Sequence, residues 1–294
     1  SCRGYHVEQF DFPICIQSRR KRLMVTLPVS TPIQIQAVIT QCESWLSDQS
    51  FDDPARTKIV SGGVCFNGHI QKGDDATFRA ALAQLPDNQP RIAVVRSSGG
   101  DTDTGLSMGE ALLDRPATVV ASQICGSSCA NYLLAAGQTK IVWKDTLLLY
   151  HGGITLDFLE STAAQTREQI MAQAAQNPQL FPDAETLIDH SIEETRQQLT
   201  TIVARQDAFL ARSGISQTFF RWMDLFNHMG EAERTTHCPV PPHMMVYAPT
   251  RLASFGFRID VYDGPTSQTE VDRLAAAYHL KNPLCYWQEQ AGGL

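Results

Sequence analysis

The sequence predicts an α/β protein. Three observations carry the expectation: short β-type apolar runs recur from Thr57 to His151, helical stretches alternate with them, and the composition is that of an ordinary globular chain, with 43% hydrophobic and 19% charged residues. No internal repeat or low-complexity run interrupts the pattern.

Residues 1–55 mix Pro, basic residues and short apolar runs, and are read as an arm or small N-terminal layer with a helix over Ile33–Leu46. Its dense basic run, Arg19 to Arg22, is read as a solvated face. The run KIVSGGVCFNGHI then opens the α/β pattern. It is followed by a helix over Thr77–Leu85, the strand RIAVVRS, a helix over Thr104–Leu113, the strand TVVAS, a helix over Ser128–Ala136, and the strands KIVW and LLLYH. After Gly153 the strand signal stops. Leu156–Ala211 reads as long polar helices broken near Asn177–Pro182, a helical insertion at about 155–211. The segment from Val246 to Gly264 returns to a short helix, a glycine and a strand, completing a domain over 56–264 and leaving 265–294 as a C-terminal tail.

A net charge of −7, from 24 Lys and Arg against 31 Asp and Glu, argues against a nucleic-acid partner held through phosphates. No apolar stretch approaches the roughly 18 residues of a membrane span. The eight cysteines (Cys2, Cys15, Cys42, Cys65, Cys125, Cys129, Cys238 and Cys285) are an even number, which leans towards a periplasmic or otherwise exported protein, with the cytoplasm as the alternative. Their spacings lack the paired C-x-x-C clusters of a structural zinc site, so no metal or other cofactor is expected.

Chemistry concentrates in three segments. In Arg96-Ser97-Ser98-Gly99-Gly100-Asp101, two glycines at the end of an apolar strand allow a sharp turn. Such a turn can aim backbone N–H groups at a developing oxyanion, or it can be a plain turn. In Ile124-Cys125-Gly126-Ser127-Ser128-Cys129-Ala130, small residues lie where a strand passes into a helix. A serine there is either an N-cap or a nucleophile favoured by the helix dipole. The strand ending in His151, 23 residues beyond Ser128, supplies a base able to take a serine proton near neutrality.

Together these segments resemble the proteolytic subunit of the Clp protease and its relatives in the Clp/crotonase superfamily. The family's S-P-G-G loop corresponds to Ser97-Ser98-Gly99-Gly100, its S-M-G-A-F-L-L-A-A-G helix to Ser128 through Gly137, and its strand ending in His to LLLYH. An opening strand and glycine turn correspond to Cys65 through Ile70, and a closing A-P-x-x-A-x-x-Y-G-L segment to Ala248 through Phe257. The match spans roughly 57–262, interrupted by the helical insertion. It implies a ββα superhelical fold, a Ser-His-Asp triad and cleavage of peptide bonds. Carried over, Ser128 is the nucleophile and His151 the general base. The N–H groups of Gly99 or Gly100 and of Cys129 form the oxyanion hole, and Asp224 is the orienting acid, with Asp207 and Glu194 in reserve.

The chain departs from the family where Cys129-Ala130 replaces Met-Gly and Ser98 replaces Pro, and 73 residues separate His151 from Asp224. The Cys-x-Ser-x-Cys pattern resembles exported Clp-like proteins, and anchoring on those cysteines makes Ser127 the nucleophile. Ser128 is preferred because the match continues through the helix. The resemblance also implies a peptide or protein substrate and a homo-oligomer. No docking site or axial loop for a chaperone partner is recognised in the sequence.

Four alternatives remain at this level. They are an inactive assembly or binding module, a crotonase-type acyl-CoA enzyme, an α/β-hydrolase elbow served by His228, His237 or His243, and a Ser-Lys peptidase using Lys140 or Lys144.

Overall fold

A computed structural model describes residues 31–177, 179, 183–228, 238 and 244–287. The basic run at Arg19–Arg22 lies outside them. Helix α1 (Pro32–Leu46) starts on a capping box, in which Thr31 and Gln34 satisfy each other's backbone N–H, and Pro32 occupies the first turn. Its buried face is Val38, Ile39, Cys42 and Leu46.

Strands β1 (Arg56–Val60) and β2 (Gly63–Asn67) form an antiparallel hairpin. From β2 onward the sheet is parallel, with β3 (Ile92–Ser97) and β4 (Thr118–Gly126) following in order. Helices α2 (Asp74–Gln84) and α3 (Thr102–Asp114) make the crossovers. Every residue of β2 and β3 is buried because helices cover both faces, which is why these strands read as apolar runs in the sequence. Cys65, Ile92, Val94 and Val120 pack towards α1. Their neighbours Val64, Phe66, Ala93 and Val95 belong to the main core on the opposite face.

The nine residues of β4 serve two partners. Its first half pairs with β5 (Thr139–Val142) and its second half with β6 (Leu147–Leu149), both parallel. This split brings the C-terminal ends of β3, β4 and β6 to one edge of the sheet, where open α/β sheets bind ligands. A short strand β8 (Val261–Tyr262) continues the sheet beside β5. Strands β7 (Met244–Tyr247) and β9 (Leu284–Trp287) form a separate parallel pair, joined to the end of β6 by a bridge between Tyr150 and Met245.

The helical stretch expected at 155–211 is occupied by α4 (Leu156–Gln176) and α5 (Ala184–Ser213). Helix α5 lies against α3 through ion pairs of Arg205 with Asp103 and Glu110 and of Arg212 with Asp114, around an edge-on contact of Phe209 with Tyr132. Helices α6 (Thr218–His228) and α7 (Pro249–Ser254) follow. Within the segment expected as a tail, residues 265–287 carry helix α8 (Gln268–Ala277) and strand β9. They are part of the folded body because Val271 and Leu274 are buried in a cluster with Ile124, Leu147, Leu149 and Val246.

Three disulfides cross-link the described residues: Cys42–Cys65 ties α1 to β2, Cys238–Cys285 ties residue 238 to β9, and Cys125–Cys129 closes over the end of β4. They are compatible with an exported protein. No helix among the described residues is long and apolar enough to cross a membrane. The architecture is mixed α/β with a mostly parallel sheet, as the alternation of runs predicts.

Candidate active site

Strand β4 ends in a turn that the sequence cannot make without cost. Ser127 follows Gly126 with φ of 48°, in the left-handed region that a residue bearing a Cβ rarely adopts. The chain then enters a π-helix over Cys129–Leu134, a rare form concentrated at functional sites. Backbone bonds from Ser127 N to Leu149 O (2.8 Å) and from Asn131 N to Ser127 O (2.8 Å) hold the turn in place. The Cys125–Cys129 disulfide staples its two flanks.

The turn gives the adjacent serines opposite environments. Ser127 is half-buried, and its Oγ lies 2.7 Å from Nε2 of His151, an exposed residue just beyond β6. Ser128 is 2% exposed, and its Oγ donates to the Gly100 carbonyl at 2.9 Å. The side chain expected as nucleophile is therefore turned inward against the glycine loop, and Ser127 is the serine that meets the imidazole. The physical reason is the left-handed turn, which rotates the two side chains to different sides of the chain.

The glycine loop fits closely over this turn. Gly99 has φ of +102°, and a Cβ there would stand 2.6 Å from Gly126 O and 2.7 Å from the Ser127 Cβ. Gly100 has φ of +139°, and a Cβ there would lie 2.1 Å from Ile70 O. Of the two amides, that of Gly99 donates to Ser97 Oγ at 3.0 Å. The Gly100 amide has no hydrogen bond among the described residues. The amide following Ser127 is that of Ser128, and its N–H likewise has no hydrogen bond among the described residues. Cys129, whose N–H is the one expected to line the oxyanion hole beside Ser128, is held in the disulfide with Cys125. Ser98 has its Oγ 3.4 Å from His69 Nδ1.

Two residues not identified from the sequence fix the histidine segment. Asn131, 3% exposed, donates through Nδ2 to Gly152 O at 3.0 Å. Gln206 of α5 donates through Nε2 to Ile154 O at 3.0 Å and accepts from Tyr132 Oη at 2.8 Å. Burial raises the Tyr132 phenol above its ordinary range and keeps it a donor. Asn131 sits four residues beyond Ser127 in a helix, a spacing visible in the sequence, whereas Gln206 comes from 74 residues beyond Tyr132 and carries no local signal.

Asp224 lies on α6, whose side-chain description ends at Met223, so its carboxylate is outside the described residues. The helix itself packs beside the histidine segment. A Cβ on Gly153 would fall 2.4 Å from the Phe220 ring, and Phe219 meets Tyr150 edge-on at 6.1 Å between centroids. Of the reserve acids, Asp207 is partly buried on α5, and Glu194 is exposed and accepts from Gln198 at 3.4 Å. Lys140 is at the other end of the sheet, paired with Val119, and its Nζ donates to Gly137 O at 2.6 Å. Burial holds its ammonium below the ordinary range, but its position removes it as a base for either serine. Lys144 is exposed. His237 and His243 lie outside the described residues, as does the His228 side chain.

Comparison with known protein families and with curated proteins finds no match to this chain.

Proposed function

We propose that this protein is a serine hydrolase, and within that class a Clp/crotonase-type peptidase, with Ser127 as nucleophile and His151 as general base. The observation that supports the reading is the 2.7 Å contact between Ser127 Oγ and His151 Nε2 at a strained strand-to-helix turn. Strain at φ of 48° is retained where it serves a purpose, and here it presents the hydroxyl to the imidazole.

In the proposed reaction, His151 Nε2 takes the Ser127 proton as Oγ attacks the carbonyl carbon. The resulting oxyanion is held by the amides of Gly100 and Ser128, and the imidazolium returns the proton to the departing amine as the C–N bond breaks. Water, deprotonated by His151, then opens the acyl-enzyme and restores Ser127. Asp224 is proposed as the carboxylate that orients the imidazole, since its helix packs against Tyr150 and Gly153 on either side of His151. Peptide specificity, an exported location and a homo-oligomeric state are parts of the same proposal. The first and last rest on the Clp-like segments, the second on the disulfides.

Labelling with a serine-directed fluorophosphonate tests the reading. The native protein and Ser128→Ala should label, and Ser127→Ala should not. Loss of labelling in Ser128→Ala with retention in Ser127→Ala would reverse the assignment. A folded native protein that does not label would point to an inactive module.

A further inference from the structure

A cavity of about 780 Å³ opens between the loop after α1 and the segment after α8, and Ser127 is not among the residues that line it. That volume suits a small organic ligand. At its floor is Arg96, 3% exposed, three residues before Gly99 on β3. Its guanidinium donates to Asn67 Oδ1 (2.6 Å), Gln123 Oε1 (2.9 Å), Leu46 O (3.1 Å) and Gln49 O (2.6 Å). Every one of those acceptors is neutral, and no described carboxylate lies within ion-pair distance. Nη1 carries two hydrogens and uses one, leaving a donor over.

A buried cation without a paired anion is costly, and an incoming anion recovers part of that cost. Desolvation lowers the Arg96 pKa from its ordinary value, only partly opposed by Asp53. Lys281 and His279 add cationic or hydrogen-bonding groups at the rim, and Phe51, Tyr278 and Leu280 supply apolar wall. Asp52 also lines the cavity. With Asp52 and Asp53 nearby, a dianion such as phosphate meets more repulsion than a singly charged group. Gln123, the partner of Nη1, is held at φ of 60°, a strained conformation at the cavity floor.

The geometry points to a binding site for an organic monocarboxylate, its carboxylate on Arg96 Nη1 and Lys281 and its apolar body against Phe51 and Leu280. The carboxylate belongs either to a small acid or to a peptide C-terminus. The site is separate from Ser127 and does not depend on the hydrolase reading.

Calorimetric titration of the full chain with phenylacetate, N-acetylphenylalanine, the amides of both, and inorganic phosphate tests the site. Binding of the acids at about millimolar strength is expected, with the amides and phosphate at least roughly tenfold weaker. Tighter binding of N-acetylphenylalanine than of phenylacetate assigns a peptide terminus, and the reverse order assigns a small acid. Lys281→Glu should weaken the acids roughly tenfold and Arg96→Gln more, while Ser127→Ala should leave binding unchanged. Should Arg96→Gln fail to fold, Lys281→Glu at the rim carries the test alone. Acids that bind no better than amides, no binding at about ten millimolar, or affinity unmoved by Lys281→Glu would overturn the proposal.

Discussion

The side-chain amide of Asn131 donates to the Gly152 carbonyl at 3.0 Å, linking the helix that follows Ser127 to the residue that follows His151. The π-helix and the histidine segment are thereby held as a unit, with Gln206 adding a second tie at Ile154. Asn131→Ala should lower kcat on an activated ester by about ten- to a hundredfold with a smaller change in KM, because orientation is lost and the reacting groups remain. Steady-state kinetics beside a circular dichroism spectrum separates this from unfolding.

Gly99→Ala should be nearly inactive. The added methyl meets Gly126 O and the Ser127 Cβ at 2.6 and 2.7 Å, and φ of +102° disfavours any side chain. A loss of about 1–3 kcal/mol in a denaturant titration, with activity down by more than about a hundredfold, is the expected pair of results.

Ser128→Ala should label normally with a fluorophosphonate yet be less stable by about 1 kcal/mol, the net value of one buried hydrogen bond. It removes the tie from Oγ to Gly100 O without touching the Ser127–His151 contact. Thermal unfolding measured beside labelling yield checks both parts.

The Cys125–Cys129 disulfide brackets Ser127, so the double variant Cys125→Ala/Cys129→Ala should relax the turn. Stability should fall by about 2 kcal/mol on the chain-entropy account of so short a loop, with a larger proportional loss of hydrolysis than of fold. Ester hydrolysis and unfolding of this variant beside the native protein decide the matter.

A general base works only when unprotonated, so kcat/KM should be low at acid pH and rise on going from acid to mildly alkaline pH. The His151→Gln variant should show no such rise. A flat native profile over that interval would count against the imidazole as base.

The alternation of Val- and Ile-rich runs with helical stretches determined by itself that this is an α/β protein. Runs such as IAVV have no polar face, as suits a parallel sheet covered on both sides. The glycine pair, the adjacent serines and His151 could also be picked out locally, because each sits at a strand end beside turn residues. Neighbouring serines differ by one position on the chain, and the sequence offers an anchor for each, the Cys-x-Ser-x-Cys spacing for Ser127 and the helix that follows for Ser128. That choice came from the left-handed φ at Ser127 and from the register of β4 with β6, which places Gly126 opposite Leu149. In the same way, only the folded sheet could show that the Gly99 amide is already engaged by Ser97, leaving Gly100 open. Tertiary packing alone decided that Gln206 reaches back to Ile154 and that α8 belongs to the body, since contacts between residues distant in sequence leave no periodic trace in either segment.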